Sequence, residues 1–232
     1  VLLLRQQVML SSIKIQVNPA TFLKDPESSE LGRRIVTNSI VLMDELGFEH
    51  FTFKKLSVAI GSTEASVYRY FENKHKLLLY LSCWYWRYLD YRLRFAIANI
   101  GSAQTRLIKA LEVITKPDED TGENGYIDTI RLNRIVVSES SKVYLTKEVD
   151  EENKEGAFLA YKQLVAKIAD IIKELNPNYD YPHMLISTVF EGAHLQRFFA
   201  EHLPRLTNVV HGEDTITTFY TDLVLKSIEP NE

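Results

Sequence analysis

The stretch LLLYLSCWYWRYLDYRLRFAIANI, residues 77–100, constrains this chain more than any other. It holds no glycine, no proline and no turn signal, and every residue in it tolerates a helix. Breakers are sparse elsewhere too, with 9 Gly and 7 Pro in 232 residues, which favours an all-helical chain. A content of 45% hydrophobic and 25% charged residues suits a globular protein and is too apolar for disorder. No apolar run reaches the roughly 18 residues of a membrane span, and VLLLRQQVML is broken by Arg5, Gln6 and Gln7. Neither a span nor a signal peptide is read. The single cysteine, Cys83, cannot form an internal disulfide and sits among aromatics, so a buried inert thiol and a reducing compartment are expected.

Residues 1–8 precede the first methionine, Met9, and are set aside as vector-derived or upstream translation. Residues 1–28 form an N-terminal arm, in which IKIQVN alternates and NPATFLKDPESSE is rich in breakers; a short strand or extended tail is expected. Ser29 caps a first helix with the stripe Leu31, Ile35, Ile40, Leu42, Met43 and Leu46, stopped by Gly47. Thr52 caps a second, with Phe53, Leu56, Ala59 and Ile60 at helical spacing, closed by Gly61. Thr63 caps a third from Glu64 to about Phe71, and Asn73 caps a fourth from Lys74 to about Ile100. That fourth helix would be about 40 Å long at ~1.5 Å per residue, enough to join two bodies. Later breaks at 116–125, 138–156, 176–182 and 203–214 separate about five more helices.

Two short helices joined by a turn at Gly61 make a helix-turn-helix, the second helix sized for a DNA major groove. Ser62, Thr63 and Ser66 are small hydroxyl residues that let a backbone approach, Tyr68 reaches phosphate, and Lys74 starts the next helix. Val67, Tyr70 and Phe71 face the core. The whole chain carries a formal charge of -4, yet between Thr52 and Lys76 five cations (Lys54, Lys55, Arg69, Lys74, Lys76) face two anions (Glu64, Glu72). That local excess suits phosphate binding and makes affinity salt-dependent.

LMDELGFEHFTFKKLSVAIG followed by GSTEASVYRYFENKHKLL closely resembles the DNA-binding module of TetR-family transcriptional regulators. The resemblance covers about residues 30–78 and rests on Gly47-Phe48, Thr52, Ala59-Ile60-Gly61, Val67 to Phe71 and Asn73-Lys74. It implies a bacterial, cytoplasmic, all-α homodimer and not an enzyme, with a three-helix DNA-binding head at 29–76. A long fourth helix would join the head to a divergent effector-binding and dimerisation domain at 77–232, about nine helices in all. On this reading the DNA-facing residues are Thr52, Lys54, Lys55, Ser62, Thr63, Glu64, Ala65, Ser66, Tyr68, Arg69 and Lys74. Two positions depart from the family: Glu64 stands where a basic residue is common, and could accept from a cytosine amino group instead, and Ala65 where glycine is common. The operator sequence does not carry over.

Beyond the head, Trp84, Tyr88, Tyr91, Arg131 and Tyr161 are candidates to line a pocket for an apolar or aromatic small-molecule effector. The last two helices, Tyr181 to Leu203 and Glu213 to Ile228, look like the dimerisation pair, with Leu185, Val189, Gly192, Ala193 and Phe198 on one and Ile216, Phe219, Tyr220 and Leu223 on the other. A DNA-bound scaffold that recruits a protein partner is the alternative. A metal-dependent helical-bundle enzyme is the remote one: Glu191 and His194 form one Glu-x-x-His pair, but a di-iron site needs two and the chain has no second. No glycine loop for a phosphate cofactor and no nucleophile constellation is present.

Overall fold

The computed structural model describes residues 15–116, 125–210 and 212–229; the expected acidic turn at 116–125 falls mostly outside them, as do residues 1–8. Eleven α-helices run through the described residues: α1 Glu30–His50, α2 Phe53–Ala59, α3 Glu64–Tyr68, α4 Lys74–Ile97, α5 Ala103–Thr115, α6 Thr129–Glu139, α7 Ser141–Tyr144, α8 Val149–Lys154, α9 Leu159–Leu175, α10 Pro182–His202 and α11 Thr215–Ser227. The two beyond the expected nine are α7 and α8, short helices inside the 138–156 break. No strand occurs among the described residues. The start of IKIQVN, residues 13 and 14, lies outside the described residues; further on, Asn18 and Asp25 cap 3-10 turns at Pro19–Thr21 and Pro26–Ser28, because each proline presets the φ of a first turn.

The described residues fall into two compact units, one from 15–87 and 125–159, the other from 88–116, 160–210 and 212–229. Residues 125–159 belong to the same unit as the head.

In the first unit the four expected caps are in place. Ser29, Thr52 and Thr63 accept from the amides of Gly32, Lys55 and Ser66, and Asn73 accepts from Lys76. The buried stripe of α1 is Gly32, Ile35, Val36, Ser39, Ile40 and Met43, with Leu31, Leu42 and Leu46 half-buried. Gly32 sits in that stripe because a Cβ there would lie 2.2 Å from the Pro26 carbonyl oxygen of the arm. At Gly47, φ 73° takes the backbone out of the helix, as expected of a stop. The turn that follows is fixed from α6 and α4. Buried Glu139 accepts the Phe48 amide at 3.1 Å, and the Lys74 ammonium donates to the carbonyls of Phe48 and Glu49 at 3.0 and 3.2 Å. Asp44 receives both Arg134 nitrogens, at 2.7 and 2.6 Å, in a bidentate pair. Cys83 is buried, donates to the Ala157 carbonyl, and has its thiol pushed up to about 12 by burial, as suits an inert thiol.

The second unit is built on α5, α9, α10 and α11. α9 buries Ala160, Leu164, Val165, Ile168, Ala169, Ile171 and Ile172. Buried Thr115 and Thr217 share a 2.8 Å hydrogen bond between α5 and α11. Buried Asp90, on α4, faces the cations Arg94 and Lys167. α4 ends at Ile97, short of the expected Ile100, because Asn99 adopts φ 59° and Ser102 caps α5.

Candidate nucleic-acid interface

The three helices of the head are locked by contacts that leave one side open. Val67, Phe71 and Tyr70 are buried at 0, 0 and 2% exposure. The Tyr70 hydroxyl shares a hydrogen bond with Ser29 at 2.7 Å, which ties the turn after α3 to the cap of α1. Arg34 donates to the Ile60 carbonyl and fixes the end of α2. Gly61 follows at φ 59°, a left-handed turn that favours glycine. α3 itself spans only Glu64–Tyr68, shorter than expected, with Tyr70 and Phe71 continuing the turn through bonds to Val67.

The open side carries the residues expected to meet DNA. Thr52, Lys54, Lys55, Thr63, Glu64, Ala65, Tyr68 and Arg69 are exposed, and Ser62, Ser66 and Lys74 half-buried. Tyr68, 49% exposed, rests edge-on against Phe53 at 5.0 Å, which anchors its ring. Thr63 and Ser66 share a hydroxyl hydrogen bond at 3.0 Å, and Arg69 donates to Ser66 at 3.4 Å, a chain that draws the guanidinium along the helix.

The cations differ in what holds them. Lys74 is engaged by the α1 carbonyls and stands over the Phe48 ring at 4.5 Å, so it carries a positioning role beside any phosphate contact. Lys55 reaches the His50 carbonyl. Lys76 pairs with buried Glu152 at 3.0 Å, as does His75, which removes Lys76 from the free charge of the head. Sequence reasoning missed Lys24, which the arm brings to 5.0 Å from the Tyr70 ring centroid, while the Leu23 amide donates to the Tyr70 carbonyl. Only the fold of the arm brings it there, across 46 positions of sequence.

The other expected residues are placed as follows. Arg131 pairs with Asp44 and Glu45 of α1 and with Asp128, the cap of its own helix. It shares the first unit with Trp84, which is buried; Tyr88, Tyr91 and Tyr161 belong to the second. Within the second unit Tyr91 packs on Phe95 at 4.6 Å, and Tyr161 donates to Glu191 at 2.8 Å. Among the dimerisation residues, Val189, Ala193, Ile216 and Tyr220 are buried by their own chain, and Gly192 admits the Tyr220 ring. These five pack within their own chain. Phe219 and Leu223 stay exposed, with Met184 and Leu195, and Leu185 and Phe198 are half-buried. Among the described residues no three His, Cys, Asp or Glu side chains gather as a metal site, and no helix is long and apolar enough to cross a membrane.

Residues 35–81 match the model of the family described as bacterial regulatory proteins, tetR family. The head is a tetR-family module. The match takes in α2, the Gly61 turn, α3 and the start of α4, the elements that carry the open side, and supports a TetR-type transcriptional regulator. Solved structures of transcriptional regulators share the fold. A bacterial regulatory protein of the tetR family from Rhodococcus RHA1 is similar with a TM-score of 0.58 at 11% identity, over 88% of this chain and 100% of that one. The TetR-family regulator PfmR from Thermus thermophilus gives 0.56 at 15%, over 85% and 100%. A transcriptional regulator from Saccharomonospora viridis, in complex with choline, gives 0.57 at 16%, over 85% and 97%. No curated protein matches the chain in sequence.

Proposed function

We propose that this TetR-type regulator is a homodimeric repressor whose two recognition helices enter successive major grooves of a palindromic operator, and that a small effector bound by its helical domain releases it. The observation that carries the reading is the division of the α3 segment: Val67, Tyr70 and Phe71 are buried, while Thr63, Glu64, Ala65, Tyr68 and Arg69 are exposed. A residue set anchored on one side and polar on the other is what groove insertion requires. The exposed apolar side chains Met184, Leu195, Phe219 and Leu223 on α10 and α11 support self-association. A two-fold dimer would set the heads about 34 Å apart, one DNA turn. The Saccharomonospora protein, of the same fold, holds choline, which supports a small-molecule effector here. Its coupling to DNA release would be about 1–3 kcal/mol.

The test is the salt dependence of affinity for duplex DNA. Affinity should fall steeply with salt, and Arg69→Ala should weaken binding and lower the slope of log K against log salt by about one if Arg69 contacts phosphate. Affinity that ignores salt refutes DNA binding by this face.

A further inference from the structure

Buried carboxylates of this protein face cations: Asp90 meets Arg94 and Lys167, Glu139 meets Lys142, and Glu152 meets Lys76. Glu191 on α10 does not follow the pattern. It is half-buried and accepts the Tyr161 hydroxyl at 2.8 Å, and among the described residues no cation ion-pairs with it. Aromatic rings stand beside it instead. The Tyr161 and Phe190 centroids lie 5.1 Å apart, and Phe190 and His194 4.5 Å apart.

His194 is the second anomaly at the same place. It is 4% exposed, its Nδ1 meets no hydrogen-bond partner, and it lies one turn beyond Glu191 on the same helix, so the two side chains are neighbours. Burial, aided by the Arg197 charge, pushes its pKa down to about 3, which leaves a neutral imidazole able to accept a hydrogen bond. Buried polar atoms are nearly always paired, so a lone one beside a carboxylate without its cation asks for a shared partner.

We propose that Tyr161, Phe190, Glu191 and His194 form the effector subsite for an organic ammonium ligand. Glu191 supplies the counter-charge, the imidazole lone pair accepts an ammonium N–H, and the half-buried Tyr161 ring, backed by Phe190, flanks the cation. The inference rests on the reading of the helical domain as effector-binding, and names the chemical class it takes.

The test uses benzylammonium and its uncharged counterpart of equal size, benzyl alcohol, titrated calorimetrically into DNA-free protein near neutral pH. The expected result is at least tenfold tighter binding of the cation, with the preference falling to near unity in Glu191→Gln. Raising the pH through the amine's own pKa should abolish the preference in the unaltered protein, which serves if the variant fails to fold. Equal affinity for the two compounds, binding of neither, or a preference that survives Glu191→Gln overturns the proposal. Because no DNA is present, a head that fails to bind DNA leaves this result untouched, and operator release by benzylammonium is then scored separately.

Discussion

Replacing Glu139 by alanine tests how the head is held. The carboxylate accepts the buried Phe48 amide, just past the left-handed Gly47, and pairs with Lys142. Loss of a charged hydrogen bond that leaves a buried amide unsatisfied costs about 1.5–3 kcal/mol. The Lys142 side chain is 37% exposed and keeps Glu49 at 3.3 Å, so its share is screened and adds at most about 1 kcal/mol. The expected loss is about 3 kcal/mol for Glu139→Ala, and roughly half that for Glu139→Gln, which keeps an acceptor oxygen at the amide. With two compact units in the chain, global unfolding need not be two-state, so amide hydrogen exchange at Phe48 is the direct readout, with urea unfolding beside it. A loss below about 1 kcal/mol for alanine, or equal losses for the two variants, would refute the reasoning.

Three further outcomes are expected. Lys74→Met should lower stability by about 1–3 kcal/mol through two freed carbonyls; a DNA salt slope unchanged in that variant would remove the proposed phosphate contact and leave the positioning role. His194 takes a proton near pH 6.5 when unfolded, at about its ordinary value, but only near 3 in the fold. The unfolded state therefore binds more protons in that window, and stability falls by about 2 kcal/mol between about pH 6.5 and 5; His194→Leu should flatten that acid limb in denaturation curves. Gly32→Ala would place a methyl 2.2 Å from the Pro26 oxygen and 2.7 Å from its Cα; the arm should lift, seen as proteolysis ahead of Ser29, with a loss of about 1–3 kcal/mol.

What could be read in advance was local. Ser29, Thr52, Thr63 and Asn73 announce helix starts because a cap needs only its own side chain and an amide three residues on. Tyr70 and Phe71 were legible as core because an apolar pair at the end of a short polar helix has no other use. Arg131 was not, since its partners Asp44 and Glu45 are 87 and 86 positions away and only the packing of α6 on α1 brings them together. Periodicity showed that α10 and α11 are apolar, yet not which flank each buries within its own chain. Val189 and Phe219 look alike in the sequence, but one is at 0% exposure and the other at 56%. Lys24 and Lys76 show the same limit for charge, because counting cations along the head says nothing of Tyr70 or Glu152 beside them.

Selection of bound duplexes from a random pool, with the full chain at micromolar concentration, tests the central claim most directly. A homodimeric tetR-type regulator predicts enrichment of an inverted repeat with half-site centres about 10 base pairs apart, and altered base preference in Glu64→Lys. Recovery of no common sequence, or of single unpaired half-sites only, would contradict it.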